Sequence, residues 1–171
     1  GGASAFECSP IDGHDGSPDG QCAGSASGYH PRFPIPTTLE APMEFFATAP
    51  ADWTAESLQR HMTGPRLSAL CASIDRVLHW DDTRDQGEIY CLWGQFQVRR
   101  ECIRNGVRFT LPTCPNALAW TLTVLDESAP SGAGVLIHAT INRTEHDPDF
   151  IESIEGFVED WRSGLARPLA D

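Results

Sequence analysis

Strand signals follow one another without interruption between Glu88 and Asn142, and this succession constrains the fold more than any other feature of the chain. Four segments alternate apolar with polar residues, which is the pattern of strands that bury one face. Within this stretch, Asn105-Gly106 is the pair most favoured at the centre of a two-residue hairpin turn. The sequence therefore predicts a four-stranded antiparallel meander over about residues 88–142.

The predicted turn also sets the register of the hairpin that contains it. With Asn105 and Gly106 at the two central positions, Cys102 lies opposite Phe109. Because side chains alternate across a strand, one face of the hairpin then becomes apolar. The predicted members of this buried face are Tyr90, Leu92, Phe96, Val98, Val107, Phe109 and Leu111.

Three helices are predicted to flank the meander. Thr54 is a candidate N-cap for a helix over about 54–63, and the 3.6-residue apolar period predicts a second helix over about 66–79. Asp147 is a candidate N-cap for a third helix over about 148–165. The apolar stripes of these helices need a surface to cover, and the buried face of the meander supplies it. The predicted fold class is therefore α+β, a two-layer sandwich with the helices packed on one face of the sheet.

Residues 1–50 are predicted to form an irregular N-terminal arm, and residues 51–171 a single domain. The arm is rich in Gly, Ser, Pro and Asp and shows no helical or strand period. Alternating prolines within it favour an extended segment that presents Tyr29 and Phe33 to a groove, on a partner or on the chain's own domain. Near its end, residues 42–47 are expected to form one helical turn.

The second face of the predicted sheet is the first candidate site. This face is half apolar, which a fully solvated sheet face does not favour, so we expect it to be covered or used. The arm, a second subunit or a small ligand can occupy it, in that order of preference. Its candidate residues are Cys91, Trp93, Gln95, Thr121, Thr123 and His138.

Arginines around the predicted hairpin tip form a basic cluster on an acidic chain. Guanidinium groups bind carboxylates and phosphates through paired hydrogen bonds, so this cluster is a candidate contact for an acidic partner. The alternative is a solvated edge with local ion pairs, to which Glu101 contributes. The cluster consists of Arg99, Arg100, Arg104 and Arg108.

Two further groups of side chains can bind metals or transfer protons. In the arm, Cys8, His14, Cys22 and His30 are weak candidates for zinc ligands, because no close pair of cysteines is present to nucleate a site. We expect a Cys8–Cys22 disulfide or no bond there in preference to a metal, and we expect no cofactor. Acidic residues and histidines on both sides of the meander form a metal or acid-base site if they meet at one rim, although capping and solvation explain them more simply. They are His79, Asp81, Asp82, Asp85 and Glu88, and Glu145, His146, Asp147 and Asp149.

A formal net charge of -12 at pH 7 restricts the classes of partner. An acidic protein repels polyanions, so we do not expect it to bind nucleic acid or anionic membrane surfaces. No apolar run approaches the roughly 20 residues that span a bilayer, so we do not expect membrane insertion. Cys71 and Cys91 fall on predicted core faces, which favours mostly reduced thiols and a cytoplasmic location over a secreted, disulfide-linked domain.

These observations favour a non-catalytic protein-interaction or assembly subunit. Its half-apolar sheet face and its N-terminal arm are expected to dock on a protein partner or on a second copy of the chain. The common catalytic and nucleotide-binding motifs are absent from the sequence, and the chain contains no lysine for Schiff-base or P-loop chemistry. The alternative is a small-molecule-binding protein or enzyme with a pocket on the second sheet face around Trp93 and His138.

Overall fold

A computed structural model describes residues 42–126 and 132–167. These residues form an α+β fold in which all the helices pack on one side of a single antiparallel sheet. The fold class and the one-sided packing agree with the sequence prediction, but the sheet has seven strands where four were predicted. No helix in the described ranges combines the length and the apolar character needed to cross a membrane.

The sheet order is β1-β7-β6-β5-β4-β3-β2, so neighbouring strands are consecutive in the chain except for the pair of β1 and β7. A short 3-10 helix, Gly64–Arg66, precedes the second helix. The strands are β1 (Met43–Ala49), β2 (Ile74–Asp81), β3 (Gln86–Cys91), β4 (Gly94–Ile103), β5 (Gly106–Thr110), β6 (Ala119–Leu125) and β7 (Gly134–Ile141), and the helices are α1 (Ala55–His61), α2 (Leu67–Leu70) and α3 (Pro148–Leu165).

The first and last helices agree with their predicted positions. Thr54 caps α1 through its side chain, which accepts a hydrogen bond from the Ser57 N–H at 3.1 Å. Asp147 caps α3 in the same way, with a bond from the Asp149 N–H at 2.9 Å. The apolar stripe of α3 packs over β1 and β7 and reaches β6, where the centroid of its Phe157 ring lies 5.1 Å from that of Trp120.

The helix predicted over 66–79 is wrong. Only Leu67–Leu70 is helical, and Cys71 leaves the helix with extended dihedrals, φ -135° and ψ 114°. The chain then enters β2, where Ile74 is buried opposite Cys91. Two register shifts disturb the alternation of apolar and polar residues in β2. A 3.6-residue apolar period therefore cannot exclude an irregular strand of this kind.

The helical turn expected over 42–47 is also wrong. These residues belong to β1, which pairs with β7 over its whole length, from Met43 opposite Ile141 to Ala49 opposite Val135. The folded sheet therefore begins before residue 51, where the sequence analysis placed the start of the domain. Alternation of Met43 and Phe45 with Glu44 is the local signal of this strand, and pairing with β7 stabilises it.

The single strand predicted around Tyr90 is a hairpin. The chain reverses at Leu92 and Trp93, and Gly94 follows with φ +112°, which favours glycine. The reversal changes which side chains face the helices, so Tyr90 and Leu92 are exposed where the sequence predicted burial. Ile89, which alternates with Tyr90 along β3, is buried instead.

The β4–β5 hairpin forms at the predicted place but with a different turn. Ile103 pairs with Gly106, so Arg104 and Asn105 occupy the turn and Cys102 lies opposite Val107. Gly106 is inside the sheet, where a Cβ would lie 1.8 Å from the Leu122 carbonyl oxygen. Close approach of two strands, and not a turn with positive φ, therefore requires glycine here. The predicted face is kept, because Val107, Phe109 and Leu111 are all buried.

Candidate functional site

The face of the sheet opposite the helices, called here the open face, carries a row of side chains that crosses five strands. Phe46 pairs with His138, His138 with Thr121, Thr121 with Arg108, and Arg108 with Glu101. We call these five residues the transverse row. It covers four strand spacings, or about 19 Å. Strand register thus brings together the predicted site residues Thr121, His138 and Arg108.

Phe46 and His138 form the best-defined contact of the row. Their rings stack with centroids 4.4 Å apart and planes 5° from parallel. The other side of the histidine is held by Glu44, whose Oε1 lies 2.9 Å from His138 Nε2. Phe46 nevertheless keeps 59% of its surface exposed. The result is an aromatic ring that stacks on a side chain of its own sheet and still faces solvent.

Phe46 is not among the site residues predicted from the sequence, because residues 42–47 were expected to form a helical turn. The signal that finds it is the alternation through β1, in which Phe45 faces the core and Phe46 the open face. Its contact with His138 depends on the pairing of β1 with β7, which joins residues far apart in the chain.

A second row runs beside the transverse row on the open face. Thr48, Leu136 and Thr123 are paired across β1, β7 and β6, and Thr123 is paired with Gly106. Leu136 and Thr123 are half-buried by their neighbours. Thr123 therefore lies where the sequence placed it, on the same face as Thr121 and His138.

Cys91 and Trp93, two of the predicted members of this face, lie elsewhere. Cys91 is buried among core side chains, and this burial raises the pKa of its thiol. Trp93 lies in the β3–β4 turn, and its Nε1–H donates to Ser153 Oγ at 2.8 Å on α3. Because Trp93 packs on the helix side and His138 on the open side, they do not form the shared pocket that was expected. Gln95 remains exposed on the open face, opposite Tyr90.

The arginine cluster is divided by the sheet. Arg99, Arg104 and Arg108 are exposed, and Arg108 Nη1 lies 3.7 Å from Glu101 Oε2. Arg100 faces the core and is only 8% exposed, so it is not available to a partner. Alternation along β4 separates Arg99 from Arg100, and only the exposed members remain candidates for contact with a partner.

A shallow depression of about 340 Å³ lies on the open face near β2. It brings together part of the predicted acidic group, His79, Asp81 and Glu88, with Arg99. The Thr83 hydroxyl, which donates to Asp81 at 2.6 Å, holds the pKa of that carboxyl below its usual range. The depression therefore combines negative and positive groups.

The residues that follow β7 do not join this depression. Four strand spacings, or about 19 Å, separate β7 from β3. Within the described ranges, no three His, Cys, Asp or Glu side chains are grouped so that they can hold a metal ion. The other predicted ligands and contacts, Cys8, His14, Cys22, Tyr29, His30 and Phe33, lie outside the described residues.

No protein-family model matches the chain, and a search of curated proteins finds no match. Solved structures do resemble it. An uncharacterized protein from Bacillus thuringiensis is 12% identical with a TM-score of 0.53, and the match covers 74% of this chain and 96% of that one. The protein XoxI from Bacillus cereus is 14% identical with a TM-score of 0.53, and the match covers 72% of this chain and 92% of that one. At these identities the likeness shows the fold alone.

Proposed function

We propose that this chain is a non-catalytic protein-interaction subunit that docks through the open face of its sheet. The observation that carries the proposal is Phe46, which is 59% exposed although it is stacked on His138. An aromatic ring that already stacks on a neighbour loses less conformational freedom when a partner covers it. Aromatic residues and arginine also contribute most of the binding energy at many protein interfaces.

The other residues of the transverse row extend the proposed contact surface beyond Phe46. Phe46 stands at the edge of the sheet, Thr121 at the centre and Arg108 further along, over about 19 Å. Threonine is stiff about χ1, so ordering it against a partner costs little side-chain entropy. Arg108 Nη1 lies 3.7 Å from Glu101 Oε2, and the exposed guanidinium can also bind a carboxylate of the partner.

The N-terminal arm is the second contact with the partner that the sequence predicts. The N-terminal arm precedes β1, the strand that carries Phe46, and Tyr29 and Phe33 are its candidate contact residues. A partner bound on the open face near β1 would lie close to the point where the described chain begins, at residue 42.

Photo-crosslinking tests the use of the open face. We place p-benzoylphenylalanine at Thr121 on the open face, and at Glu56 on α1 as a control on the helix side. We expect irradiation in cells to give an adduct of defined mass from position 121 and not from position 56. No adduct from position 121, or the same adducts from both positions, would contradict the proposal.

The captured protein is then titrated against variants of the purified chain. Phe46→Ser removes the proposed anchor and should raise the Kd at least about tenfold, since interface anchors contribute about 2 kcal/mol or more. Leu92→Ser is the matched control, because Leu92 is also exposed, at 48%, but lies outside the transverse row. Equal effects of the two substitutions would show that Phe46 is not the anchor of the docking surface.

A further inference from the structure

A groove of about 370 Å³ runs along the outer edge of the sheet, between β1 and α3. Its floor is apolar and includes Phe45 and the buried Val158. Glu155 and Glu159 line it on the α3 side, and Glu44 lines it on the open-face side, where its carboxylate contacts His138. The groove therefore offers apolar contact, negative charge and the backbone of an end strand at one place.

The backbone of β1 is suited to accept another strand. β1 ends the sheet, so among the described residues no strand pairs with its outer side. It pairs with β7 over seven residues without a register shift. An end strand of this kind presents unpaired N–H and C=O groups, which are a template for strand addition.

The opposite edge of the sheet differs from β1. β2 pairs with β3 through two register shifts, one between Ile74 and Arg76 and one between Val77 and His79. Such bulges twist an edge away from further pairing. β1 contains no bulge, no proline and no basic residue, and its one charge is Glu44. Within the described ranges, β1 is therefore the edge that is better suited to accept another strand.

The charge of the groove selects the occupant. Glu155 has no partner among the described residues, so its negative charge in the groove is uncompensated, whereas Glu159 is already paired with Arg162, whose hydrogen bond lowers the pKa of that carboxyl. A second copy of the chain would bring an equally acidic wall, and each copy carries a formal net charge of -12. Like charges of this kind disfavour self-pairing, whereas a basic segment compensates them.

We propose that this groove binds an extended basic segment of a partner protein, which adds to the sheet beside β1. The inference rests on the proposed function and names the chemistry of the partner. Side chains of an added strand alternate, so one set faces Glu155 and Glu159 beside α3 and the other set lies beside Phe46. The segment is therefore alternating, with Arg or Lys on one face and apolar β-branched residues on the other.

A fluorescent heptapeptide that alternates valine and arginine is the probe, and its anisotropy is measured with the full chain. We expect saturable binding that weakens with salt, because the basic residues contact carboxylates. A valine–glutamate peptide of the same length should not bind. A valine–arginine peptide with alternate backbone amides methylated should also fail to bind, because it retains the charge and loses the hydrogen bonds of strand addition.

Two charge reversals locate the site. Glu155→Lys should raise the Kd of the peptide about tenfold, because Glu155 lines the groove. Glu56→Lys on α1, which lies outside the groove, should change this Kd less than about twofold. Equal weakening by both variants would show general attraction to an acidic protein and overturn the proposal. Unchanged binding of the methylated peptide, or no binding of the unmethylated one at 1 mM, would overturn it as well.

Other occupants of the groove give different results. If removal of residues 1–41 tightens peptide binding tenfold or more, the chain's own arm competes for the groove and the proposed partner is wrong. If the peptide dissociates a dimer in sedimentation velocity, the occupant is a second copy and the proposal is likewise overturned. If the peptide does not bind but the Thr121 adduct still forms, the groove proposal alone is wrong. If the peptide binds but the Thr121 adduct does not form, the proposal that the open face is the docking surface is wrong.

Discussion

Arg99 and Arg100 show how one step along a strand changes the role of a residue. Arg99 is exposed on the open face, whereas Arg100 points into the helix layer. There its Nε donates to the Met62 carbonyl at 2.6 Å and its Nη1 to Asp85 Oδ2 at 2.9 Å, and a further bond reaches the Gln59 carbonyl. A cation beside these carbonyls also complements the negative end of α1. Arg100 thus joins β4 to α1 and to the β2–β3 loop.

We predict that Arg100→Met lowers the free energy of unfolding by about 2–4 kcal/mol, because it leaves buried carbonyls without donors. Arg99→Met is the matched control and should change it by less than about 0.5 kcal/mol, as is usual for exposed positions. Urea denaturation of both variants measures the difference. Similar losses in the two would show that the buried bonds of Arg100 contribute little.

At the scale of the element, α3 contains two glycines in opposite environments. A Cβ on Gly164 would lie 1.6 Å from the Leu70 carbonyl oxygen, so glycine is what allows α2 to approach α3. A Cβ on Gly156 would meet nothing within 4 Å, and this residue is exposed. Close packing against α2 therefore requires glycine at position 164, whereas the space around position 156 accepts a side chain.

We predict opposite effects for the two alanine substitutions in α3. Gly156→Ala should stabilise the protein by about 0.5–1 kcal/mol, because alanine has the higher helix propensity and restricts the unfolded chain. Gly164→Ala should destabilise it by about 1–3 kcal/mol, because the backbone of α2 must move away. Thermal unfolding followed by circular dichroism compares them, and shifts of the same sign would contradict this account of α2–α3 packing.

At the scale of the whole molecule, β1 joins the sheet to the helix layer. It pairs with β7, and it contributes Phe45 and Ala47 to the apolar surface that packs against the core. The β7 residues next to it, such as Ile137 and Ala139, are fully buried. Removal of β1 would therefore expose apolar surface of β7 and leave the backbone of β7 unpaired.

Two N-terminal deletions isolate this contribution. Deletion of residues 1–50 removes β1, whereas deletion of residues 1–41 keeps it. We predict that the shorter chain is less stable than the longer one by about 4 kcal/mol or more, given about 1.5–3 kcal/mol for each large apolar side chain buried. Urea denaturation of both chains measures the difference, and equal midpoints would show that β1 is dispensable.

The sequence by itself determined the elements whose signals are local. Alternation predicted β6 and β7, Asp147 and the apolar stripe predicted α3, and Asn105-Gly106 located a hairpin although its turn lies one residue earlier. These features depend on residues that are close in the chain, so they can be recognised without knowledge of the fold.

Only the tertiary structure decided the two edge strands, the division of the arginines and the transverse row. β1 is a strand because β7 pairs with it, and Phe46 meets His138 because that pairing has one register. Of the six residues predicted on the second face, Cys91 and Trp93 moved to the helix side when the chain reversed at the β3–β4 turn. Hydrogen bonds between residues far apart in the chain set these features, and local periodicity contains no information about such partners.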